Sequence, residues 1–294
     1  MKIGFIGLGT MGLPMSINLV KAGNSVYGFD LSDQAMRTLT DAGGVAADSI
    51  ADLMANADIV FTMLPTGPHV IDIYEKADGV MAHATDRHIL VDSSTSGVPS
   101  ARKLHAMGQA KGVRTLDAPV TGAVAGAEAA TLTFMVGGDR DTFDQVTPLL
   151  KQMGQRIVYA GQAGAGQAVK VCNNMVAGIN KIALSEAFIL AKKLGVDDKV
   201  FFEVASNGSA QSFSLMKTCP VPGLVPTAPS SRNYTNGFTT KLLLKDMVLA
   251  QEAAMEVGAG TILGSAASNL YQLCANAGNA ERDSGIIYQY LLGR

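Results

Sequence analysis

Three glycines near the N-terminus have the spacing of a turn that binds phosphate. They lie in the segment Gly7-Leu8-Gly9-Thr10-Met11-Gly12, between a predicted strand and a predicted helix. In such a turn the first glycine permits the sharp bend, the second lets the backbone approach a pyrophosphate, and the third lets the helix pack on the sheet. Backbone amides and the positive dipole end of the helix attract phosphate charge. The segment therefore predicts a site for the pyrophosphate of a dinucleotide.

An acidic residue follows this segment at the distance that a ribose contact requires. Asp30 ends the next predicted strand, about 20 residues beyond the glycines, where a carboxylate accepts hydrogen bonds from the hydroxyls of the adenosine ribose. Its charge would repel a 2′-phosphate, and no arginine follows at Leu31 or Ser32. The glycines and Asp30 together predict NAD, rather than NADP, as the cofactor.

A lysine and an asparagine in the second half have side chains suited to proton transfer. Lys170 and Asn174 are four residues apart in a stretch with helical spacing, so their side chains lie on one face. Carbonyl reduction by hydride leaves an alkoxide that needs a proton, and alcohol oxidation needs that proton removed. A lysine serves both directions if burial or neighbouring dipoles bring its pKa toward the working pH. Because a helix lysine is more often a solvated charge, the residues alone leave both interpretations open.

The first half of the chain alternates short β-branched runs with stretches of helical spacing. We predict strands at Ile3–Ile6, Ser25–Phe29, Ile59–Met63, Ile89–Asp92, Thr115–Leu116, Leu132–Val136 and Arg156–Tyr159. The helices predicted among them are Met11–Ala22, Gln34–Ala42, Val98–Ala110 and Asp139–Met153. This alternation is typical of α/β proteins in which helices cover both faces of a parallel sheet. It predicts an N-terminal Rossmann-type, doubly wound sheet.

The pattern becomes helical throughout after Gly161. Residues Gly166–Leu194 predict one helix, roughly 40 Å long at ~1.5 Å per residue. Further helices are predicted at Lys199–Ser206, Thr239–Val257, Thr261–Ala277 and Gly285–Leu292, and a loop rich in Pro, Ser, Asn and Gly at Cys219–Gly237. We therefore predict an NAD-binding Rossmann domain over residues 1–161 and an all-α C-terminal domain, for substrate binding and oligomerisation, over residues 162–294. The long helix joins them.

Composition and charge narrow the class of protein. The 294 residues are 48% hydrophobic and 16% charged, with a formal net charge of −2. These values favour a folded enzyme and offer no footprint for nucleic acid or an acidic membrane surface. The three cysteines and four histidines lack the spacing of a disulfide framework or a metal site. No apolar run reaches the roughly 18 residues of a membrane span, and no signal peptide precedes the first strand, which predicts a cytoplasmic protein. A processed organellar protein is the alternative.

Four segments in order along the chain resemble the β-hydroxyacid dehydrogenase family. They are Phe5–Met15, Asp117–Gly122, Gly166–Asn174 and Lys245–Asp246. The resemblance implies that Lys170 is the general acid/base and that Asn174 orients the substrate. It also implies substrate contacts from Thr121, Gly122, Ala123, Phe238 and Asp246, and cofactor contacts from Leu64, Pro65, Ser94, Thr95 and Lys245. Thr121 and Ala123 depart from the serine and second glycine that are commoner in the family, so a carboxylate should still bind while the pocket shape differs.

The loop that ends at Phe238 carries the resemblance to one branch. Its residues Cys219–Gly223, Pro226, Pro229, Tyr234 and Gly237–Phe238 resemble the 3-hydroxyisobutyrate dehydrogenase branch. This implies NAD-dependent oxidation of 3-hydroxyisobutyrate to methylmalonate semialdehyde in valine breakdown, by a homodimer or homotetramer. Members acting on tartronate semialdehyde, 3-hydroxypropionate or serine are alternatives. A dinucleotide-binding module without catalysis is a further one, disfavoured because the Lys170–Asn174 pair is retained. The C-terminal domain is too short for the larger 6-phosphogluconate dehydrogenases.

Overall fold

One sheet organises the N-terminal half of the protein. The computed structural model describes residues 1–293, which contain this sheet of nine strands. The strands are β1 (Lys2–Ile6), β2 (Ser25–Phe29), β3 (Val45–Ala46), β4 (Ile59–Thr62), β5 (Ile89–Asp92), β6 (Arg114–Asp117), β7 (Val120–Thr121), β8 (Leu132–Gly138) and β9 (Gly154–Gly161). The helices between them are α1 (Gly12–Lys21), α2 (Asp33–Asp41), α3 (Ile50–Asn56), α4 (Gly67–Glu75), α5 (Val80–His83), α6 (Val98–Lys111), α7 (Ala123–Glu128) and α8 (Arg140–Leu150).

The strand order is that of a doubly wound sheet. The strands run β3-β2-β1-β4-β5-β6-β8-β7, with β9 paired to β8, and those from β3 to β6 are mutually parallel. The chain leaves β1 toward β2 and later returns to β4 on the other side, which creates a crevice at the carboxyl end of β1. The predicted Rossmann-type fold is confirmed.

The register aligns the carboxyl ends of the strands that precede the predicted site residues. Ile6 pairs with both Phe29 and Thr62, and Asp92 pairs with both Thr62 and Asp117. The loops after these strands therefore begin at one edge of the sheet. Ligands bind at this edge in open α/β sheets.

The sheet separates two apolar clusters, one on each face. Phe5, Phe61 and Val91 belong to one cluster, whereas Ile6, Val60 and Leu90 belong to the other. Because alternate side chains of a strand point to opposite faces, strands buried on both sides are apolar at every position. This explains why short continuous apolar runs, rather than alternating ones, predicted β1, β4 and β5.

Helices form most of the remaining chain. They are α9 (Ala165–Lys193), α10 (Asp198–Asn207), α11 (Phe213–Met216), α12 (Thr240–Val257), α13 (Ile262–Cys274) and α14 (Ile287–Leu291). The described residues divide into two units, Met1–Lys170 and a second that begins at Val171. The division falls within α9, whose bounds differ from the predicted ones by a single residue at each end. The loop predicted at Cys219–Gly237 contains one short 3₁₀ helix, Pro229–Arg232.

Several short elements differ from the sequence prediction. The helix predicted to run to Ala277 ends at Cys274, where a wider π turn follows and Gly278 has a φ of +88°. The helix predicted from Gly285 begins as a 3₁₀ turn, and α14 proper starts at Ile287. Helices α3, α4, α5, α7 and α11 were not predicted. Apart from the nine-residue α4 they have four to seven residues, too few to establish a helical period.

Among the described residues, one helix is long and apolar enough to cross a membrane by length and composition. It is α9, with a mean hydropathy of 1.2 over its best window. The buried helix of a folded domain meets the same criterion. Inside the second unit, Lys181 of this helix donates a hydrogen bond to Ser284 Oγ at 2.7 Å, as a core helix does.

Candidate active site

The glycine segment forms a tight turn with an open outer side. Gly7 has a φ of +93°, and a Cβ there would collide with the carbonyl of Met63. A Cβ on Gly12 would collide with the carbonyl of Gly7. A Cβ on Gly9, in contrast, would meet no atom within 4 Å. The first and third glycines are thus required by packing, and the space above the second is available to a ligand.

Asp30 lies beside this turn. Its Oδ2 accepts a hydrogen bond from the Leu8 amide at 2.6 Å, and its Oδ1 accepts one from the Ser32 amide at 2.8 Å. The adjacent Leu31 is 96% exposed, so no cation is built into this position. The pairing of β1 with β2 brings Asp30 beside the glycine turn, and the carboxylate also fixes that turn through Leu8.

A second carboxylate, at the end of β5, organises the next loops. Asp92 is fully buried and accepts hydrogen bonds from Thr62 Oγ1 and Ser96 Oγ, each at 2.8 Å. It also accepts the Ser94 amide at 3.1 Å, and Ser94 Oγ accepts the Leu64 amide at 2.8 Å. Burial raises the pKa of the Asp92 carboxyl, and the hydrogen bonds that it accepts oppose that shift. The loops that carry Leu64 and Thr95 are therefore held together.

The predicted carboxylate-binding turn projects from the edge of the sheet. Thr121 ends β7 opposite Thr133, and the backbone then turns through Gly122 at a φ of +139° and Ala123 at +57°. Gly122 and Ala123 are exposed and Thr121 is half-buried. No side chain caps the helix that begins at Ala123. The turn thus leaves exposed backbone amides at the start of this helix, next to Thr121.

Lys170 is buried against the same turn. It is 7% exposed, and its Nζ donates a hydrogen bond to the Val120 carbonyl at 2.8 Å. Within the first unit the structure therefore brings the predicted general acid/base next to Thr121. The solvated charge that a helix lysine usually carries does not describe this residue.

The second unit brings together three of the remaining predicted residues. Asn174 Nδ2 donates a hydrogen bond to Asp246 Oδ2, and Lys245 Nζ lies 3.2 Å from Asp246 Oδ1. Asn174 and Asp246 are both buried, at 6% and 2% exposure. The asparagine amide is thereby held in one orientation within the second unit. Phe238 packs at the edge of the apolar cluster that contains Leu243.

Among residues 1–293, no three or more His, Cys, Asp or Glu side chains group so that they could hold a metal ion. The potentially reactive side chains of the first unit are instead an amine, a threonine hydroxyl and ordered carboxylates. An amine buried beside a turn that can accept an anion suits proton transfer to or from a small carboxylated substrate.

Two family models match the chain in succession. Residues 2–161 match the NAD binding domain of 6-phosphogluconate dehydrogenase. Residues 164–291 match a model described as the NAD-binding domain of NADP-dependent 3-hydroxyisobutyrate dehydrogenase. These matches confirm NAD as the cofactor.

Similar proteins match over nearly the whole chain. The chain is 43% identical over 286 residues to the NAD-dependent L-serine dehydrogenase of Pseudomonas aeruginosa, covering 97% of this chain and 96% of the relative. It is also 43% identical over 275 residues to the 3-hydroxyisobutyrate dehydrogenase of that organism, covering 94% and 92%. The solved structure of Mycobacterium tuberculosis 3-hydroxyisobutyrate dehydrogenase with L-serine has a TM-score of 0.94 at 44% identity and covers 99% of each chain. The predicted enzyme class, an NAD-dependent hydroxyacid dehydrogenase, is confirmed.

Proposed function

The chain belongs to the β-hydroxyacid dehydrogenase family, and on that premise we propose that it oxidises 3-hydroxyisobutyrate to methylmalonate semialdehyde, the reaction of valine breakdown. The observation that carries the proposal is the burial of Lys170 with its Nζ on the Val120 carbonyl. An amine in this place lies next to the turn suited to the substrate carboxylate. A 3-hydroxyacid has its hydroxyl only two carbons from the carboxylate carbon.

Cofactor binding is proposed to divide between two stretches of the sheet edge. The turn Gly7–Gly12 would hold the pyrophosphate through backbone amides, and Asp30 would accept the adenosine ribose hydroxyls, which favours NAD over NADP. The nicotinamide half would lie against Leu64, Pro65 and Thr95, whose loops Asp92 orders. Lys245 is proposed as a further cofactor contact. Residues 1–161 would thus bind NAD and residues 162–294 contribute substrate contacts.

Lys170 is proposed to move the proton. Bound NAD supplies the hydride acceptor. As carbon 3 loses its hydride and the carbon–oxygen double bond forms, the hydroxyl proton of the substrate passes to the unprotonated amine of Lys170, and the same group returns the proton in the reverse direction. Asn174, which Asp246 holds in one orientation, would orient the hydroxyl. Phe238 would contact the rest of the substrate.

The Thr121–Ala123 turn is proposed to bind the carboxylate. Its support is the exposed backbone at the start of α7, which no side chain caps. The Thr121 hydroxyl adds a donor at the same edge. The turn would hold the carboxylate end of the substrate. Lys170, whose Nζ is held by the adjacent Val120 carbonyl, would lie at the hydroxyl end.

L-serine is the principal alternative substrate. The identity of 43% to an L-serine dehydrogenase equals that to a 3-hydroxyisobutyrate dehydrogenase, and the similar solved structure holds L-serine. Both acids carry the hydroxyl on carbon 3, and they differ in the substituent on carbon 2, a methyl or an ammonium group. The groups proposed here for the carboxylate and the hydroxyl would serve either compound.

A substrate panel tests the choice. The purified enzyme is assayed for kcat/KM with 3-hydroxyisobutyrate, L-serine, 3-hydroxypropionate and, in reverse, tartronate semialdehyde, each with NAD and with NADP. We expect the highest value for 3-hydroxyisobutyrate with NAD. A higher value for L-serine would transfer the proposal to serine oxidation. Binding of NAD without turnover of any short hydroxyacid would instead identify a cofactor-binding module.

Replacement of the general acid/base tests the mechanism. Lys170→Ala should lower kcat by about 10²–10⁴-fold, the range of general acid–base catalysis, while NAD affinity and the circular dichroism spectrum are retained. Lys193→Ala removes an exposed lysine from the same helix and is the control. A near-native kcat in Lys170→Ala would overturn the assignment.

We also propose that the protein is a cytoplasmic homodimer or homotetramer. The described cysteines, Cys172, Cys219 and Cys274, are all free thiols, which suits a reducing compartment. Large apolar side chains of the second unit are exposed, which supports assembly; they are Leu190, Leu194, Val200, Val204 and Phe213.

A further inference from the structure

A buried glutamine joins two parts of the cofactor edge that are about 70 residues apart in sequence. Gln167 lies in the first turn of α9 and is 0% exposed. Its Nε2 donates a hydrogen bond to the Ser94 carbonyl at 2.7 Å. Its Oε1 accepts from the amides of Ser96 at 3.2 Å and Gly97 at 3.1 Å. One side chain therefore satisfies three backbone groups of the loop after β5.

The backbone of the same residue is held from the neighbouring strand. Asp117, at the end of β6, accepts the Gln167 amide on Oδ2 at 2.9 Å and the Gly164 amide on Oδ1 at 2.7 Å. A Cβ on Gly166 would lie 2.8 Å from Asp117 Oδ2, so the absence of a side chain at Gly166 allows the carboxylate to lie close to the backbone there. Asp117 thus fixes the start of α9 as a capping residue does.

The two contacts converge on the position of Lys170. This residue follows Gln167 by three places, so the turn that Asp117 holds is the turn that carries the lysine. The tip of Lys170 is bonded to Val120, three places beyond Asp117. On the other side, Asp92 holds Ser94 and Ser96 of the loop that Gln167 contacts. Gln167 is the link between the loop set by Asp92 and the helix start set by Asp117.

We propose that Gln167 is a positioning residue for hydride transfer: it fixes the loop Ser94–Gly97 relative to the helix turn that carries Lys170. The inference rests on the proposed roles of Thr95 and Lys170. Gln167 touches neither of the reacting groups and acts through backbone contacts alone. Because a misplacement of about 1 Å can cost about 10²-fold in rate, loss of this link affects the chemical step more than binding.

The test is the variant Gln167→Met, which has similar length and no hydrogen-bonding amide. We expect kcat to fall by about 10–100-fold, while KM for the hydroxyacid and Kd for NAD each change less than about threefold. We also expect the isotope effect on kcat, with deuterium on the carbon that bears the hydroxyl, to rise above that of the wild type. An unchanged kcat, or a lower kcat with an unchanged isotope effect, would overturn the proposal.

A matched variant separates positioning from simple loss of stability. Thr142→Val removes the partly buried hydrogen bond, 2.9 Å long, from Thr142 Oγ1 to Oδ2 of Asp139, the residue that caps the start of α8. It should lower the melting temperature and leave the isotope effect unchanged, since a smaller folded fraction does not alter the chemical step. A rise of the isotope effect in Thr142→Val as well would refute a specific role for Gln167.

Hydrogen exchange decides the coupling even if the proposed function fails. That failure would be recognised separately, as a wild type that produces no NADH from any hydroxyacid in the panel. In Gln167→Met the amides of Ser96 and Gly97 lose their acceptor, so exchange in segment 94–97 should accelerate, together with exchange in segment 164–170. Unchanged exchange in both segments would overturn the link between loop and helix whatever the substrate is.

Discussion

Three aspartates at strand ends hold loops rather than react. Asp30 accepts the Leu8 amide, Asp92 accepts the Ser94 amide, and Asp117 accepts the Gln167 amide. A carboxylate that accepts backbone amides fixes a loop at a cost in desolvation, which is why burial raises the pKa values of Asp92 and Asp117. The hydrogen bonds that these carboxylates accept fix the positions of the loops at the sheet edge.

The first residue-scale prediction concerns cofactor choice. Asp30→Asn keeps an oxygen for the Leu8 amide and removes the charge next to the proposed ribose site. We expect kcat/KM for NAD to fall about tenfold or more, because a hydrogen bond to a charged group contributes about 1.5–3 kcal/mol. The value for NADP should rise. Asp33→Asn, an exposed position three residues on, controls for the lost charge, and an unaltered NAD/NADP ratio in Asp30→Asn would contradict the assignment.

The sequence identified Asp30 and the glycine turn because their signal is local. The strand, the three glycines and the acid all lie within the first 30 residues, at the spacing of a dinucleotide-binding motif. Gln167 had no such signal, because its hydrogen-bond partners lie 70–73 positions away in sequence. A glutamine in a helix is common and does not by itself indicate a function. Only the folded sheet edge shows that its amide matches the loop after β5.

At the scale of elements, the turn before α7 is strained at one residue. Ala123 has a φ of +57°, in the left-handed region that glycine adopts without a Cβ clash. A glycine, the commoner residue of the family at this position, would adopt this backbone conformation without strain. Ala123→Gly should raise the free energy of unfolding by about 0.5–1 kcal/mol, as measured by urea denaturation. The control Ala125→Gly, exposed within the same helix, should lower it by about 0.5–1 kcal/mol. Equal signs for the two variants would show that the turn is not strained.

A buried lysine makes the stability of the second unit depend on pH. Lys181 Nζ donates to Ser284 Oγ at 2.7 Å and lies 3.5 Å from Asp283 Oδ1. Burial lowers the pKa of Lys181 below its ordinary 10.5, and Asp283 opposes the shift in part. Between the lowered folded pKa and 10.5, the unfolded chain binds more protons than the folded one. Stability contributed by this group therefore rises with pH across that window and is lost as pH falls through the folded pKa.

The prediction is a difference measurement with Lys181→Met. The free energy of unfolding of the wild type minus that of the variant should increase as pH rises toward 10, by at most about 1.4 kcal/mol per pH unit. Subtraction cancels groups common to both proteins, such as Cys274, whose pKa burial raises to about 11. Lys192→Met removes an exposed charge of the same helix as the control. A flat difference between pH 7 and 10 would refute a lowered pKa.

The predictability of each element followed its length and the range of its contacts. The 29 residues of α9 gave many helical periods, and its bounds were predicted to within one residue at each end. The two-residue strand β7 depends on pairing with β8 rather than on its own sequence, and it was not predicted. Short elements of this kind are set by tertiary contacts, and β7 leads directly into the proposed carboxylate-binding turn.

At the scale of the whole molecule, fold and cofactor were predictable and the substrate less so. Strand alternation and the glycine turn are properties of sequence spacing. The choice between 3-hydroxyisobutyrate and L-serine depends on how the surroundings of carbon 2 receive a methyl or an ammonium group. Relatives of both kinds share 43% identity with this chain, so overall similarity does not separate them.

Exposed apolar side chains of the second unit predict that copies of this protein associate with one another. Val200 and Val204 lie one turn apart on α10, with Val204 67% exposed, and Phe213 of the following helix is 73% exposed. Isolated apolar side chains are common on surfaces, but several within one short segment are typical of an interface.

The last prediction tests whether this segment is buried between copies. Val204→Glu and Phe213→Glu should each lower the molar mass measured by light scattering, because an unpaired carboxylate buried in an apolar interface costs several kcal/mol. Val45→Glu, which adds the same charge at an exposed position of β3 in the first unit, should leave the mass unchanged. A wild type that has monomer mass at micromolar concentration would refute the homo-oligomer itself. Unchanged mass in both variants of an oligomeric wild type would place its interface elsewhere.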